Sequence, residues 1–145
     1  MRYIDVTLSL DTAAYATGDV MADTQVVGGI TTEADSTTEL KSIQVLDEDD
    51  QGIAFDIVLL GGAGSIGTEN AAVSVTDAVA RDIQGLVSVA SGDYMDLGGC
   101  RSATKPNIGI VVRTAPGTRD IYVATISRGS PTYTAAGVRL RMGFV

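Results

Sequence analysis

A glycine motif is the first candidate for chemistry in this chain. Residues 62–67 read GAGSIG and match the G-x-G-x-x-G pattern of dinucleotide-binding loops. That chemistry needs a helix that begins at the loop and receives a pyrophosphate at its N-terminus. Residues 68–70 read TEN, which is a poor start for an anion-binding helix, and hairpin-like segments flank the motif. The sequence therefore predicts a glycine-rich surface loop rather than a nucleotide site.

A serine and a lysine at S-x-x-K spacing form the second candidate. Ser102 and Lys105 match the motif in which an amine deprotonates a nucleophilic hydroxyl from the same helical face. Pro106 follows the lysine directly and disfavours a helix there. We therefore predict no acyl-transfer site at this position.

Acidic residues give the third candidate. Asp47 and Asp49, with Gly52 at the sixth place, resemble the start of a calcium loop, but Val58 stands where the bidentate glutamate is required. A solvated turn is favoured. A carboxylate pair could also serve a glycosidase, since such sites occur on jelly rolls. Nothing in the sequence selects a pair, and the chain has no tryptophan for a sugar platform.

The residue types that are missing narrow the chemistry further. The chain has no histidine, so Ser-His-Asp and Cys-His arrangements and histidine-ligated metals are excluded. Cys100 is the single cysteine and has no partner for an internal disulfide. We expect no catalytic residue, no cofactor and no metal, and hence a protein that is not an enzyme.

The length fits one domain over residues 1–145, in which we expect an extended N-terminal segment at 1–11. Residues 1–100 hold seventeen acids and three bases, whereas residues 101–145 hold one acid and seven bases. This split predicts either charge pairing between neighbouring strands or a polar protomer whose basic part meets an acidic neighbour. The net charge of −8 disfavours nucleic acid, and no apolar run is long enough for a membrane span.

Alternating apolar residues predict an all-β chain. Residues 40–60 read as two strands joined by an acidic turn, which we interpret as a hairpin at the centre of the fold. A short helix is predicted within residues 74–83, capped by Ser74, and a loop over residues 98–106. In the last strand Val138, Leu140, Met142 and Phe144 should face the core, with Arg139 and Arg141 outward. The predicted fold is a jelly-roll-like antiparallel β-sandwich of two four-stranded sheets, with at most one short helix.

The order of these features resembles a known group of proteins. The segments DVMADTQVV, ELKSIQVLDEDDQGIAFDIVLL, GTENAAVSVTDAVARDIQGLVSV and IYVATISRGSPTYTAAGVRLRMGF are similar to head decoration (cement) proteins of tailed bacteriophages. The resemblance implies a jelly-roll virion protein, made in the host cytoplasm, that sits on the capsid exterior as a homotrimer. Its implied partner is the major capsid protein, whose subunits it bridges and stabilises, and it implies no active site.

Interface residues are expected in three segments and on the last strand. The N-terminal segment, the loop 31–39 and the loop 61–70 are predicted to make the capsid and trimer contacts, while the last strand should pair its arginines with acids of an adjacent protomer. The candidates are Arg2, Tyr3, Asp5, Glu33, Asp35, Glu69, Arg139 and Arg141. A sugar- or receptor-binding virion module of the same fold is the alternative, and a hydrolase with an unrecognised carboxylate pair is a third.

Overall fold

Two antiparallel sheets form the protein in the computed structural model, which describes all residues from 1 to 145. The strands are β1 Arg2–Thr7, β2 Val20–Val27, β3 Thr37–Asp47, β4 Phe55–Leu60, β5 Ile83–Val89, β6 Tyr94–Asp96, β7 Arg101–Lys105, β8 Ile110–Arg113, β9 Ile121–Ser127 and β10 Val138–Phe144. The one α-helix, α1, spans Asp77–Ala80, and a 3-10 turn spans Ser91–Asp93. No helix is long and apolar enough to cross a membrane.

The strand order is that of a jelly roll. The first sheet has the order β1-β10-β3-β7-β6, with β8 also paired to β3, and the second sheet has the order β2-β9-β4-β5. Strands that follow one another along the chain mostly lie in opposite sheets, as in the double Greek key of that fold. The predicted jelly-roll sandwich is confirmed. The first sheet holds six strands rather than four, because residues 106–109 interrupt one long strand into β7 and β8 and because β6 is added at the edge.

The predicted central hairpin is wrong. Residues 40–60 do form two strands, but β3 belongs to the first sheet and β4 to the second. The chain between them is a corner that crosses from one sheet to the other. The Asp47 carboxylate holds this corner, since it accepts hydrogen bonds from the N–H groups of Asp49, Gln51 and Gly52 at 3.0, 2.9 and 2.7 Å. Acidic turn chemistry was therefore interpreted correctly, while the pairing of its arms could not be deduced from local pattern.

The main core lies between the sheets. A cluster of 25 buried residues fills this space. In β10, Val138, Leu140, Met142 and Phe144 are all buried, while Arg139 and Arg141 are exposed, as the alternation predicts. Burying apolar side chains from both inner faces is the dominant stabilising term of such a sandwich.

A second, smaller cluster lies on the outer side of the second sheet. It contains Val20, Val58, Leu60, Ile66 and Ala124, with Val73, Val79 and Ile83 packed against it. Ile66, Val73 and Val79 come from residues 61–82, which we call the covering loop, because this segment runs across the outside of the second sheet. Strand β4 is consequently buried on both faces, which explains its uninterrupted apolar run Ile57–Leu60.

Two local predictions are corrected by the structure. The helix is a single turn at Asp77–Ala80, and its N-cap is Thr76, whose Oγ1 accepts from the Val79 N–H, rather than Ser74. The predicted loop over 98–106 contains strand β7. Its residues, RSATK, have weak strand propensity, and pairing with β3 on one side and β6 on the other is what makes them a strand.

Candidate interaction surface

The outer faces of the two sheets differ. The covering loop buries the outside of the second sheet, whereas most residues of β1, β10 and β3 that point away from the core are exposed or partly exposed. This surface, which we call the bare face, includes Tyr3, Asp5, Gln44, Leu46, Arg139 and Arg141, and these six side chains line two adjoining shallow depressions. Rigid strands position all of these side chains.

An ion pair lies in the middle of the bare face. Asp5 and Arg141 are directly opposite in the β1–β10 register, and the guanidinium donates from Nε and Nη2 to the two carboxylate oxygens at 2.8 and 3.2 Å. The hydrogen bond from Arg141 holds the pKa of Asp5 below its ordinary value, with a smaller contribution from the charge of Arg139. The charge of Arg141 is thus balanced within the chain. Arg139 has no carboxylate within 4.0 Å.

Tyr3 gives the bare face its one aromatic ring. The residue is 66% exposed. Its ring lies over Gly143 of the neighbouring strand, where an added Cβ would come within 3.3 Å of Tyr3 Cε1 and 2.8 Å of Ser42 Oγ. A glycine at this position of β10 therefore leaves room for the ring, which covers the β10 backbone and buries Gly143.

The other expected contact residues lie elsewhere. Arg2 and Glu33 line one cleft of about 260 Å³ between the chain termini and the loop that follows Ile30, and Arg2 Nη1 reaches the Gly29 carbonyl at 3.5 Å. Asp35 has a positive φ of 53° and accepts the Gly117 N–H at 2.7 Å, so this carboxylate fixes a turn. The structure brings Arg2 together with Glu33, and Tyr3 together with Asp5, Arg139 and Arg141.

Glu69 lies within the covering loop, near Tyr15 and Asp11. Its Oε1 is buried and has no hydrogen-bond partner. Loss of hydration raises the pKa of Glu69, and the negative charge of Asp11 raises it further. Burial likewise raises the pKa of the neighbouring Tyr15 to about 12. Glu69 is thus a half-buried carboxylate close to the negative charge of Asp11, and it is not part of the bare face.

The three candidate motifs for chemistry are all engaged in structural contacts. In the glycine loop, the Asp23 carboxylate accepts one backbone N–H, that of Ile66, at 3.0 Å and the Ser65 hydroxyl at 2.7 Å. Ser102 Oγ donates to the Val45 carbonyl at 3.1 Å, whereas Lys105 pairs with Asp93 at 2.9 Å, so serine and lysine do not meet.

The acidic turn at residues 47–50 is likewise tied down. Asp50 pairs with Arg101 at 2.7 Å, and the Asp49 carboxylate accepts the Thr134 N–H at 2.7 Å. No group of three or more acidic or cysteine side chains is placed to hold a metal ion. Asp49 and Asp50 therefore join the corner to a neighbouring loop and to strand β7, while Asp47 holds the corner itself.

Charge pairing between the two parts of the chain is confirmed. Four of the seven bases in residues 101–145 form ion pairs with acids in residues 1–100: Arg101 with Asp50, Lys105 with Asp93, Arg128 with Asp56 and Arg141 with Asp5. These pairs are all partly exposed to solvent, and each stabilises the fold weakly. Five basic residues have no acid within 4.0 Å, namely Arg2, Arg81, Arg113, Arg119 and Arg139.

Two glutamines that sequence reasoning missed close the sides of the sandwich. Gln25 of β2 bonds to the edge of β1: its Nε2 donates to the Thr7 carbonyl at 3.0 Å, and its Oε1 accepts the Ser9 N–H at 2.8 Å. Gln84 of β5 does the same to β8, with Nε2 donating to the Arg113 carbonyl at 2.8 Å and Oε1 accepting its N–H at 2.6 Å. Each side-chain amide thus makes the hydrogen bonds that a neighbouring strand would otherwise make.

Comparison with known proteins found no match for this chain. No protein-family model matches the chain, and no curated protein or solved structure matches it either.

Proposed function

We propose that the protein decorates the outside of a bacteriophage head and stabilises it by bridging major capsid subunits, without catalysis. The resemblance of its sequence to head decoration proteins motivates this role, and the jelly-roll topology is the fold that the resemblance implies. A bridging protein acts through many weak contacts whose combined strength comes from simultaneous engagement. Homotrimers are the expected assembly.

One observation carries the proposal, the contrast between the covered second sheet and the bare face of the first. A sheet face of this extent, held on strands and offering Tyr3, Leu46 and the unpaired Arg139, is suited to a flat protein contact. Arginine and tyrosine are the residue types that dominate binding energy at protein interfaces. An acidic group of the capsid opposite Arg139 would complete the charge pairing that this chain leaves open.

Mixing the protein with empty, expanded heads of the parent phage tests this function. We expect stoichiometric extra density on the outer surface and co-sedimentation of the protein with the heads. Arg139→Glu should reduce binding by about tenfold or more, as loss of a central arginine contact does. Arg119→Glu makes the same charge change at an exposed residue outside the bare face, so it serves as the matched control. Heads that bind neither the native protein nor the control would contradict the proposal.

The alternative is a sugar- or receptor-binding module of the same fold. It is favoured by the depression in which the Tyr3 ring lies beside Asp5, Gln44 and Arg141, because an aromatic face with polar neighbours suits a sugar ring. A glycan array that shows selective binding, abolished by Tyr3→Ala and retained by Arg119→Glu, would support this function over decoration.

Light scattering coupled to gel filtration separates the expected trimer from a monomer.

A further inference from the structure

A polar cleft lies at the side of the sandwich where β5 of the second sheet meets β8 of the first. Its volume is about 330 Å³, and six of its eight lining residues carry charged or hydrogen-bonding side chains. Four of these six are charged, namely Arg81, Arg113, Asp35 and Asp82. No residue of the bare face lines this cleft, so it is a separate surface of the molecule.

Hydrogen bonds within the protein fix the walls of the cleft and occupy its neutral polar side chains. The Gln84 amide donates to the Arg113 carbonyl at 2.8 Å and accepts the Arg113 N–H at 2.6 Å. Gly61 leaves room for this amide, which an added Cβ would meet. The Thr114 hydroxyl donates to the Ser36 carbonyl at 3.2 Å and accepts the Ser36 N–H at 3.0 Å. The charged side chains are therefore the groups that remain for a ligand.

The two arginines of the cleft have no partner in the chain. Neither Arg81 nor Arg113 has an acid within 4.0 Å, and the guanidinium hydrogen bonds of the molecule all come from other arginines. Of the five basic residues without an acid at that distance, only these two line the same cleft. Two guanidiniums with free donors favour a ligand group that accepts several hydrogen bonds, such as a carboxylate or a phosphate.

Two acids, Asp35 and Asp82, line the same cleft, and neither has a base within 4.0 Å. Asp35 Oδ1 accepts the Gly117 N–H at 2.7 Å, so this carboxylate is partly engaged in its turn. A simple anion in the cleft would be repelled by the two acids, and a simple cation by the two arginines. A molecule with one charge of each sign avoids both repulsions, because each of its charged groups can meet side chains of opposite sign.

We propose that this cleft binds a small zwitterion, whose carboxylate or phosphate lies between Arg81 and Arg113 and whose ammonium group pairs with Asp82. The planar guanidinium matches carboxylate and phosphate oxygens, whereas an ammonium group is a compact charge with three donors that suits a carboxylate. The volume is at the small end of the range for ligand sites, so the ligand has few heavy atoms. This inference does not depend on the proposed role in a phage head, because the cleft and the bare face share no residue.

Titration with β-alanine and with O-phosphoethanolamine tests the site, since each joins an ammonium group to an anionic group through two carbons. NMR of the backbone amides of Gln84, Arg113 and Thr114 follows binding, and the amides of β1 serve as an internal reference. The tighter of the two zwitterions should bind about tenfold or more better than inorganic phosphate, propionate or ethylamine, because it adds a second charged contact. It also identifies the anionic group that the arginines prefer.

Substitution of the arginines locates the bound molecule. Arg81→Gln and Arg113→Gln should each weaken binding of the zwitterion by about tenfold, as expected for loss of one charged contact. Arg119→Gln removes an unpaired arginine outside the cleft and should leave binding unchanged. All three arginines are exposed, so the variants should melt at the temperature of the native chain.

Asp82→Asn gives a result that a merely structural role would not produce. It removes the carboxylate that pairs with the ammonium group and that repels an anion. Binding of the zwitterion should therefore weaken, while binding of inorganic phosphate becomes stronger. A loss of both would overturn the assigned role of Asp82.

Absence of any shift in the reporter amides at millimolar concentrations of both zwitterions would overturn the site. Inorganic phosphate that binds as tightly as O-phosphoethanolamine would overturn the zwitterion in favour of a simple anion. Binding that is unchanged in Arg81→Gln and Arg113→Gln would overturn the cleft as its location.

Discussion

Both sheets of this sandwich bury their inner faces in the main core, but they differ on the outside. The outer face of the second sheet is covered, whereas that of the first sheet is largely open to solvent. In the second sheet, β4 carries apolar residues on both sides, and the covering loop seals the outer one with Ile66. In the first sheet, β10 alternates between buried and exposed residues from Val138 to Met142, and Arg139 and Arg141 on its outer side remain exposed. An uninterrupted apolar strand therefore indicates that another segment of the chain covers its outer side. An alternating strand instead leaves one side open to solvent and to a partner.

An aspartate placed on the outer side of each sheet should give the largest difference in stability between the two sheets. Val58→Asp puts an unpaired carboxylate under the covering loop, where Val58 is 2% exposed. We expect a loss of at least about 3 kcal/mol in the free energy of unfolding, because a buried charge without a partner is costly. Leu46→Asp, on the bare face, should cost about 1 kcal/mol or less. Chemical denaturation of both variants measures the two values, and equal losses would contradict the contrast between the faces.

Truncation of the covering loop's anchor should have the next largest effect. Ile66 is fully buried against the outside of the second sheet, so Ile66→Ala should reduce the free energy of unfolding by about 2–4 kcal/mol. Val75→Ala, in the same loop at a residue 36% exposed, is the control and should change stability by less than about 0.5 kcal/mol. Thermal or urea unfolding of Ile66→Ala that matches the native chain would show that the loop is not a structural cover.

Loss of the hydrogen bonds from Gln25 and Gln84 to the strand edges should have smaller effects on stability. Gln25→Ala and Gln84→Ala should each cost about 1–2 kcal/mol, since each loses two hydrogen bonds to backbone groups that water can partly replace. Hydrogen exchange should accelerate at the Ser9 amide in the first variant and at the Arg113 amide in the second. Gln44→Ala removes a glutamine from the bare face and should leave both amides unchanged.

The smallest effects concern pH, and they have opposite signs in two regions. The pKa of Asp5 is lowered in the folded state, so its ion pair adds stability above its ordinary pKa of 3.8 that is lost as the pH falls through the folded value. The pKa of Glu69 is raised, so the folded state binds a proton more tightly and stability declines as the pH rises from 4.5 through the folded value.

Melting temperatures measured across the acidic range test both signs. Glu69→Gln should raise the melting temperature at neutral pH and flatten the decline above pH 4.5. Asp5→Asn should lower it at neutral pH and remove part of the loss seen at low pH. A destabilised Glu69→Gln variant at neutral pH would mean that the buried Oε1 has a partner after all.

Much of the fold could be predicted from local pattern, because alternation directly reports which side of a strand is buried. Residues 138–144 illustrate this, since the four inward residues and the two outward arginines of β10 were predicted correctly. Pairing is different. Strand β3 pairs with β10 on one side and with β7 and β8 on the other. β10 is about a hundred residues away, and no local signal distinguishes these pairings from a hairpin with β4.

The interaction surface was predictable only in part. Outward-facing Arg139 and Arg141 follow from strand periodicity, but the pairing of Arg141 with Asp5 depends on β1 and β10 being neighbours. Gln25 and Gln84 gave no sequence signal at all, because a glutamine that replaces a strand looks like any surface glutamine until both sheets are in place. The apolar run of β4 was the available clue to the covering loop.

Hydrogen exchange of the protein, alone and mixed with expanded phage heads, tests the proposed contact through the bare face. If the protein binds the heads as we propose, exchange should slow in β1 and β10, whose outward side chains belong to the bare face, and stay unchanged in residues 61–82 of the covering loop. Protection confined to the covering loop, with β1 and β10 unaffected, would contradict it.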